Sequence, residues 1–154
     1  MSISDVITLD KLTLSYPIDG REKLHVLGPI NLSIRNGEFL CILGESGCGK
    51  SSLLRILSKL EKPTEGTVSF HDYSGSSNRI PMVGMVFQKP NLLPWLSVYK
   101  NLALGFQMRN EAVPRDKISE MLVQLGIEDF NNAKPSELSG GMAQRVAIGR
   151  ALLG

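Results

Sequence analysis

One stretch of the chain has residue types and a spacing that could do chemistry on phosphate: Gly44-Glu45-Ser46-Gly47-Cys48-Gly49-Lys50-Ser51-Ser52. It matches G-x-x-x-x-G-K-[ST], in which glycines let consecutive backbone N–H groups turn inward on an anion and a following helix N-terminus adds partial positive charge. A glycine-containing turn reaches this spacing by chance in about one chain in a few hundred, so the flanks decide. The apolar run Phe39-Leu40-Cys41-Ile42-Leu43 before it reads as a strand. After it, Leu53, Leu54, Ile56, Leu57 and Leu60 recur on one helical face, with Arg55, Lys59 and Lys62 on the other. Strand, phosphate-binding loop and helix is the order this chemistry needs.

Three further places carry polar groups at defined positions. Gln88 follows the apolar run 80–87 directly. It is either a solvated loop glutamine or a hinge residue whose side-chain oxygen reaches a metal or an attacking water. Leu138-Ser139-Gly140-Gly141-Met142-Ala143-Gln144-Arg145 opens a helix expected over 142–153. A hydroxyl and free N–H groups there present either an anion site or a simple helix cap. Tyr16, at the end of a strand, is either packed in the sheet or a flat surface for a ring to stack on.

The remaining candidates have bland readings. His71 has no Cys or second His beside it, which favours a solvated strand end over a metal ligand. Cys41, in the strand, reads as a small core residue and Cys48 as a tolerated loop residue, with no disulfide expected between them.

The elements that must hold these residues follow from periodicity. Residues 7–16 alternate in two phases, Ile7 and Leu9, then Leu12, Leu14 and Tyr16, which marks half-buried strand. Pro17, Asp19 and Gly20 form a turn, and 25–34 is a second extended stretch closed by Arg35-Asn36-Gly37. An antiparallel β layer therefore precedes the phosphate loop. Beyond the first helix come a turn at 62–66, a short strand at 67–70, a Ser/Gly-rich loop at 72–79 and an apolar strand at 80–87. From Ser97 the pattern turns helical, with Val98, Leu102 and Phe106 four apart. A second helix is expected over 114–125, Pro114 in its first turn and Gly126 at its end, with a polar loop over 130–136.

At 154 residues and 42% hydrophobic content, the chain is one soluble domain or part of one. Its net charge of +2, from 17 basic and 15 acidic residues, gives no global field that would select nucleic acid. No apolar run nears the ~20 residues that span a bilayer, and the N-terminus lacks a basic segment followed by an apolar one, so a cytoplasmic location is expected.

Taken in order, Tyr16, the 44–52 loop, Gln88 and the 138–145 motif resemble the nucleotide-binding subunit of ABC transporters. Leu138-Ser139-Gly140-Gly141 looks like that family's LSGGQ signature, with Met142 where glutamine is usual. Asn91-Leu92-Leu93-Pro94-Trp95 and Asn101-Leu102-Ala103-Leu104-Gly105 are similar to the nitrate, sulfonate and taurine importer branch. The resemblance implies an α/β fold: a P-loop NTPase core with an incomplete parallel sheet, an N-terminal antiparallel β layer and an α-helical subdomain. It implies a β layer and phosphate-loop core over 5–90, a helical subdomain over 91–140 and the signature helix over 141–154.

It further implies ATP and Mg²⁺ as ligands, a second ATP-binding subunit paired head to tail, and membrane-spanning permease subunits seated near Gln88. The subunit would sit on the inner face of the membrane. Gly44, Glu45, Ser46, Gly47, Cys48 and Gly49 would wrap the phosphates, and Lys50 would contact the β and γ groups. Ser51 would bind the metal with Gln88, and Ser52 would hold the α phosphate. Tyr16 would take the adenine ring, and Ser139, Gly140 and Gly141 would close on the partner's γ phosphate.

The family places an apolar strand ending in Asp-Glu soon after the signature helix, and a switch histidine later. No Asp or Glu follows Glu137 in this sequence. The expectation is a chain cut before that strand, strongly impaired in hydrolysis by itself, with an open sheet edge and an apolar face. A non-catalytic ATP-binding fragment or remnant is the alternative.

Overall fold

The computed structural model describes residues 5–20, 22–71 and 83–153. Its contacts divide the chain into two units, 1–83 and 84–154.

In the first unit, β1 (Asp5–Tyr16) lies between β2 (Leu24–Arg35) and β3 (Glu65–Phe70) in an antiparallel sheet of order β2-β1-β3. The two phases of the β1 sequence have a physical cause. Between Leu9 and Leu12, β1 advances three residues while β2 advances two, from Leu32 to Ile30. A bulge there takes up the extra residue, Lys11 turns to φ 47°, and its N–H leaves the ladder to donate to Asn31 Oδ1 at 2.7 Å. Leu9, Leu12 and Leu14 thus all reach the same core.

The helix α1 (Lys50–Leu57) closes that core with Leu53, Ile56 and Leu57. Eight residues are too few for a helix to persist in water unaided. Burying these three side chains, at about 2 kcal/mol each, supplies what propensity lacks. Leu54 and Leu60 do not join them: Leu54 is 45% exposed, and Leu60 is 61% exposed beyond the helix end. The helix stops at Leu57, so the expected apolar face is one turn shorter than the leucines suggest.

The second unit contains α2 (Val98–Met108), α3 (Arg115–Leu125) and α4 (Gly140–Leu153). Two 3-10 turns, Glu128–Phe130 and Pro135–Glu137, overlap the two ends of the span 130–136 expected to be loop. Ser97 caps α2 by accepting the Lys100 N–H, Pro114 begins α3, and Gly126 ends it at φ 60°. The core is Val98, Leu102, Ala103, Ile118, Leu122, Ile127 and Val146. Gly149 lets α4 approach closely: a Cβ there would stand 2.7 Å from Leu125 Cδ1 and 3.0 Å from Leu102 Cδ2. The signature helix therefore shares its core with the helical subdomain.

Two expected strands do not form ladders. Residues 39–43 and 83–87 pair with no strand among the described residues, and 80–82 lie outside them, as does the 72–79 loop. A parallel strand is stable only with neighbours on its flanks and helices on its faces. Here Phe39 and Leu43 are 94% and 87% exposed, and Val83, Val86 and Phe87 are also open. Cys41 is exposed as well, contrary to the core position expected for it. The only sheet among the described residues is antiparallel.

Candidate functional site

Of the 44–52 stretch in the first unit, residues 44–49 are loop and Lys50, Ser51 and Ser52 open α1, with Gly49 before them at φ 91°. A side chain is excluded there twice, by the left-handed backbone and by space. A Cβ would stand 2.9 Å from the Val26 carbonyl oxygen and 3.1 Å from Leu27 Cβ. β2 thus packs directly against the residue at which α1 begins.

Above it lies a cavity of about 280 Å³ lined by Val26, Ser46, Gly47, Gly49, Lys50, Ser51 and Ser52. Lys50 arches back over the loop. Its Nζ donates to the carbonyls of Gly44 at 2.8 Å and Glu45 at 2.6 Å, with Cys48 Sγ at 3.6 Å. An ammonium held over a ring of loop backbone, beside two serine hydroxyls and a helix N-terminus, is a site for a phosphate chain. The donor set fits an oligophosphate, and Ser51 offers one oxygen to a metal bound with it. No group of three or more His, Cys, Asp or Glu that could hold a metal ion by itself occurs among the described residues.

Tyr16 ends β1 in the same unit, 37% exposed, and its hydroxyl donates to Glu61 Oε1. That hydrogen bond to a carboxylate, with desolvation and the Glu61 charge, pushes the phenol above its ordinary value, while Ser52 and Arg55 pull the other way. Tyr16 is therefore close to the α1 residues at the loop. It is not packed away in the sheet.

The second unit holds Gln88 and the signature residues. Gln88 is exposed. Ser139 Oγ accepts the Met142 N–H at 3.2 Å, a helix cap that leaves the hydroxyl hydrogen free to donate. Gly140 and Gly141 face open space, where an added Cβ would meet nothing within 4 Å. The helix begins at Gly140, two residues before the expected start, so both glycines belong to its first turn.

His71 Nε2 meets Thr8 Oγ1 at 3.1 Å, and His25 bridges Ser15 Oγ at 3.4 Å and the Gly28 carbonyl at 3.0 Å. Both act as sheet-edge ties.

Sequence reasoning missed several residues that hold these parts. Asn101 is wholly buried. It accepts from Leu93 N at 2.9 Å and donates to the carbonyls of Leu93, Leu96 and Ser97 at 3.0–3.2 Å. Its position on the Val98 and Leu102 face of α2 was the available signal, since an amide on an apolar stripe must find partners. Glu61, Gln144 and Arg150 gave no such signal, because their partners are distant in sequence.

Phosphate loop, β layer and three-helix unit define a P-loop NTPase of the ATP-binding cassette type. The chain belongs to the ABC transporter family, whose profile matches residues 27–154. It is 48% identical over 128 residues to an aliphatic sulfonates import ATP-binding protein of Pseudomonas syringae pv. tomato, covering 82% of this chain and 50% of that protein. A spermidine/putrescine import ATP-binding protein of Acetivibrio thermocellus is 39% identical over 153 residues, covering 96% and 42%. The chain thus spans about half the length of the curated relatives it matches. A dimeric ATP-binding cassette solved in a post-hydrolysis state with ADP and Pi superposes with a TM-score of 0.80 at 37% identity, covering 96% of this chain and 69% of that one. No helix among the described residues is long and apolar enough to cross a membrane.

Proposed function

We propose that this chain is ATP-binding machinery of an importer for small sulfonate-type anions, the nitrate, sulfonate and taurine branch. It works as a pair of such subunits against a membrane-spanning permease on the inner face of the membrane. The observation that carries the reading is Lys50 held over the Gly44 and Glu45 carbonyls at the mouth of α1. On an arriving nucleotide it exchanges those carbonyls for phosphate oxygens, a stronger, charge-assisted pairing.

In this reading the loop N–H groups from Gly44 to Gly49 hold the phosphate chain and Ser52 takes the α phosphate. Ser51 takes Mg²⁺ with Gln88, and Tyr16 supports the adenine. Ser139, Gly140 and Gly141 serve the nucleotide of the partner subunit. ATP supplies the phosphoryl group and Mg²⁺ the countercharge for its transfer. The sulfonate branch is favoured over a polyamine branch by the 91–95 and 101–105 sequences and by 48% against 39% identity.

Calorimetric titration with Mg-ATP tests the site. Lys50→Ala should weaken binding at least tenfold, about 1.5 kcal/mol or more for a charged hydrogen bond. Its melting temperature should hold, because Lys50 touches only the loop. No heat from a wild-type chain that circular dichroism shows folded would end the reading. For substrate, uptake of labelled sulfonate and of labelled putrescine is compared in cells carrying Lys50→Ala in the whole gene. Loss of sulfonate uptake alone is the expected result, and loss of putrescine uptake alone would move the chain to the other branch.

A further inference from the structure

Tyr16 is held at two points by one short stretch that follows α1. At its tip, the hydroxyl donates to Glu61 Oε1. At the backbone, Thr64 clamps the residue before it: the Ser15 N–H donates to Thr64 Oγ1 at 2.8 Å, and that hydroxyl donates onward to the Ser15 carbonyl at 3.0 Å. The Thr64 N–H closes the clamp on the Thr13 carbonyl at 2.8 Å.

The stretch that carries Glu61 is itself pinned. The Leu60 N–H donates to the Arg55 carbonyl at 2.9 Å, and Lys59 turns left-handed at φ 59°. The Lys59 ammonium lies 4.1 Å from the centre of the Phe70 ring in β3. Glu61, half-buried, therefore accepts the Tyr16 hydroxyl from a backbone that is fixed on both sides.

A ring that ends a strand and is 37% exposed would otherwise turn among its rotamers, and a base stacking on it would have to stop that motion. The hydroxyl also feels Ser52 and Arg55 on α1, and Ser52 lines the phosphate cavity. The tie to Glu61 thus sets the ring beside the residues that meet phosphate. We propose that Glu61 and Thr64 are positioning residues for the base of the nucleotide, holding the Tyr16 ring in one orientation so that a stacking base need not order it. This role rests on the reading of Tyr16 as the adenine support. Its effect falls on the base's share of the affinity and not on the phosphates' share.

Calorimetric titration of the chain with Mg-ATP and with Mg-tripolyphosphate separates the two shares, because tripolyphosphate offers the loop a phosphate chain and no ring. Tyr16→Ala, which removes the stacking surface, should lower ATP affinity about tenfold or more and leave tripolyphosphate within twofold. Glu61→Ala and Thr64→Val should each lower ATP affinity about threefold or more, again with tripolyphosphate within twofold. Glu61→Gln keeps the accepting oxygen and should match the wild type. Tyr16→Phe keeps the ring and loses the hydroxyl, so it should repeat the Glu61→Ala loss, and the two together should lose no more than either alone.

A Glu61→Ala chain whose two affinities keep the wild-type ratio, or fall equally, overturns the positioning role and leaves the adenine reading standing if Tyr16→Ala still loses ATP. A Tyr16→Ala chain with an unchanged ratio, or a folded wild-type chain that binds ATP no better than tripolyphosphate, overturns the adenine reading and the positioning role with it.

Discussion

Lys50 and Tyr16 show how single side chains are set by their surroundings in the first unit. Lys50 donates to the Gly44 and Glu45 carbonyls, which hold its ammonium over the loop. Tyr16 is tied to Glu61, and its raised phenol pKa makes a pH statement. Below the ordinary phenol value of 10.0 both folded and unfolded chains hold the proton and the bond's contribution is complete. As pH rises past it, the unfolded chain releases the proton first, so the contribution falls and is gone above the folded pKa. Spectrophotometric titration near 295 nm should show one phenol titrating late, absent in Tyr16→Phe and moved back toward 10.0 in Glu61→Gln. Added salt should shrink only the part due to the Glu61 charge, since the pair is exposed. The phosphate loop was legible at this scale because its chemistry lies in nine consecutive residues. Glu61 was not, because its partner is 45 positions away.

Among the elements, α2 depends on a buried amide. Asn101 holds the 93–97 approach to the helix through four hydrogen bonds, and Ser97 caps the same turn. Asn101→Leu fills the space and strands those backbone groups, so it should cost about 3 kcal/mol. In urea, the midpoint should fall in proportion with the slope unchanged. Asn101→Asp keeps the acceptor for Leu93 N but sets a buried carboxylate against three carbonyls, so at neutral pH it should cost at least as much as Asn101→Leu. The helices were legible from the recurrence of Val98, Leu102 and Phe106 in α2, and from Pro114 and Gly126 at the ends of α3. The early end of α1 was not, because the leucine pattern runs on to Leu60. Nor was the β1 bulge, which periodicity registers only as a change of phase at Lys11.

For the molecule as a whole, the proposed pairing with a second subunit is tested at Ser139, which the proposed function sets against the partner's nucleotide. Ser139→Ala should leave ATP binding to the loop within twofold of the wild type while reducing ATP-dependent dimer in light scattering at least fivefold. Equal dimer in both proteins would remove the signature turn from the interface. The sequence by itself determined the glycine-rich loop before α1, the antiparallel layer and the helical periodicities, because each is a short-range pattern enforced by local backbone chemistry. Only the tertiary structure decided that residues 39–43 and 83–87 form no ladder among the described residues, that Cys41 is exposed, and that Gln144 and Arg150 hold the chain around Gln88. A strand exists through its neighbours and a tether through its far end, and neither partner is written next to the residue that needs it.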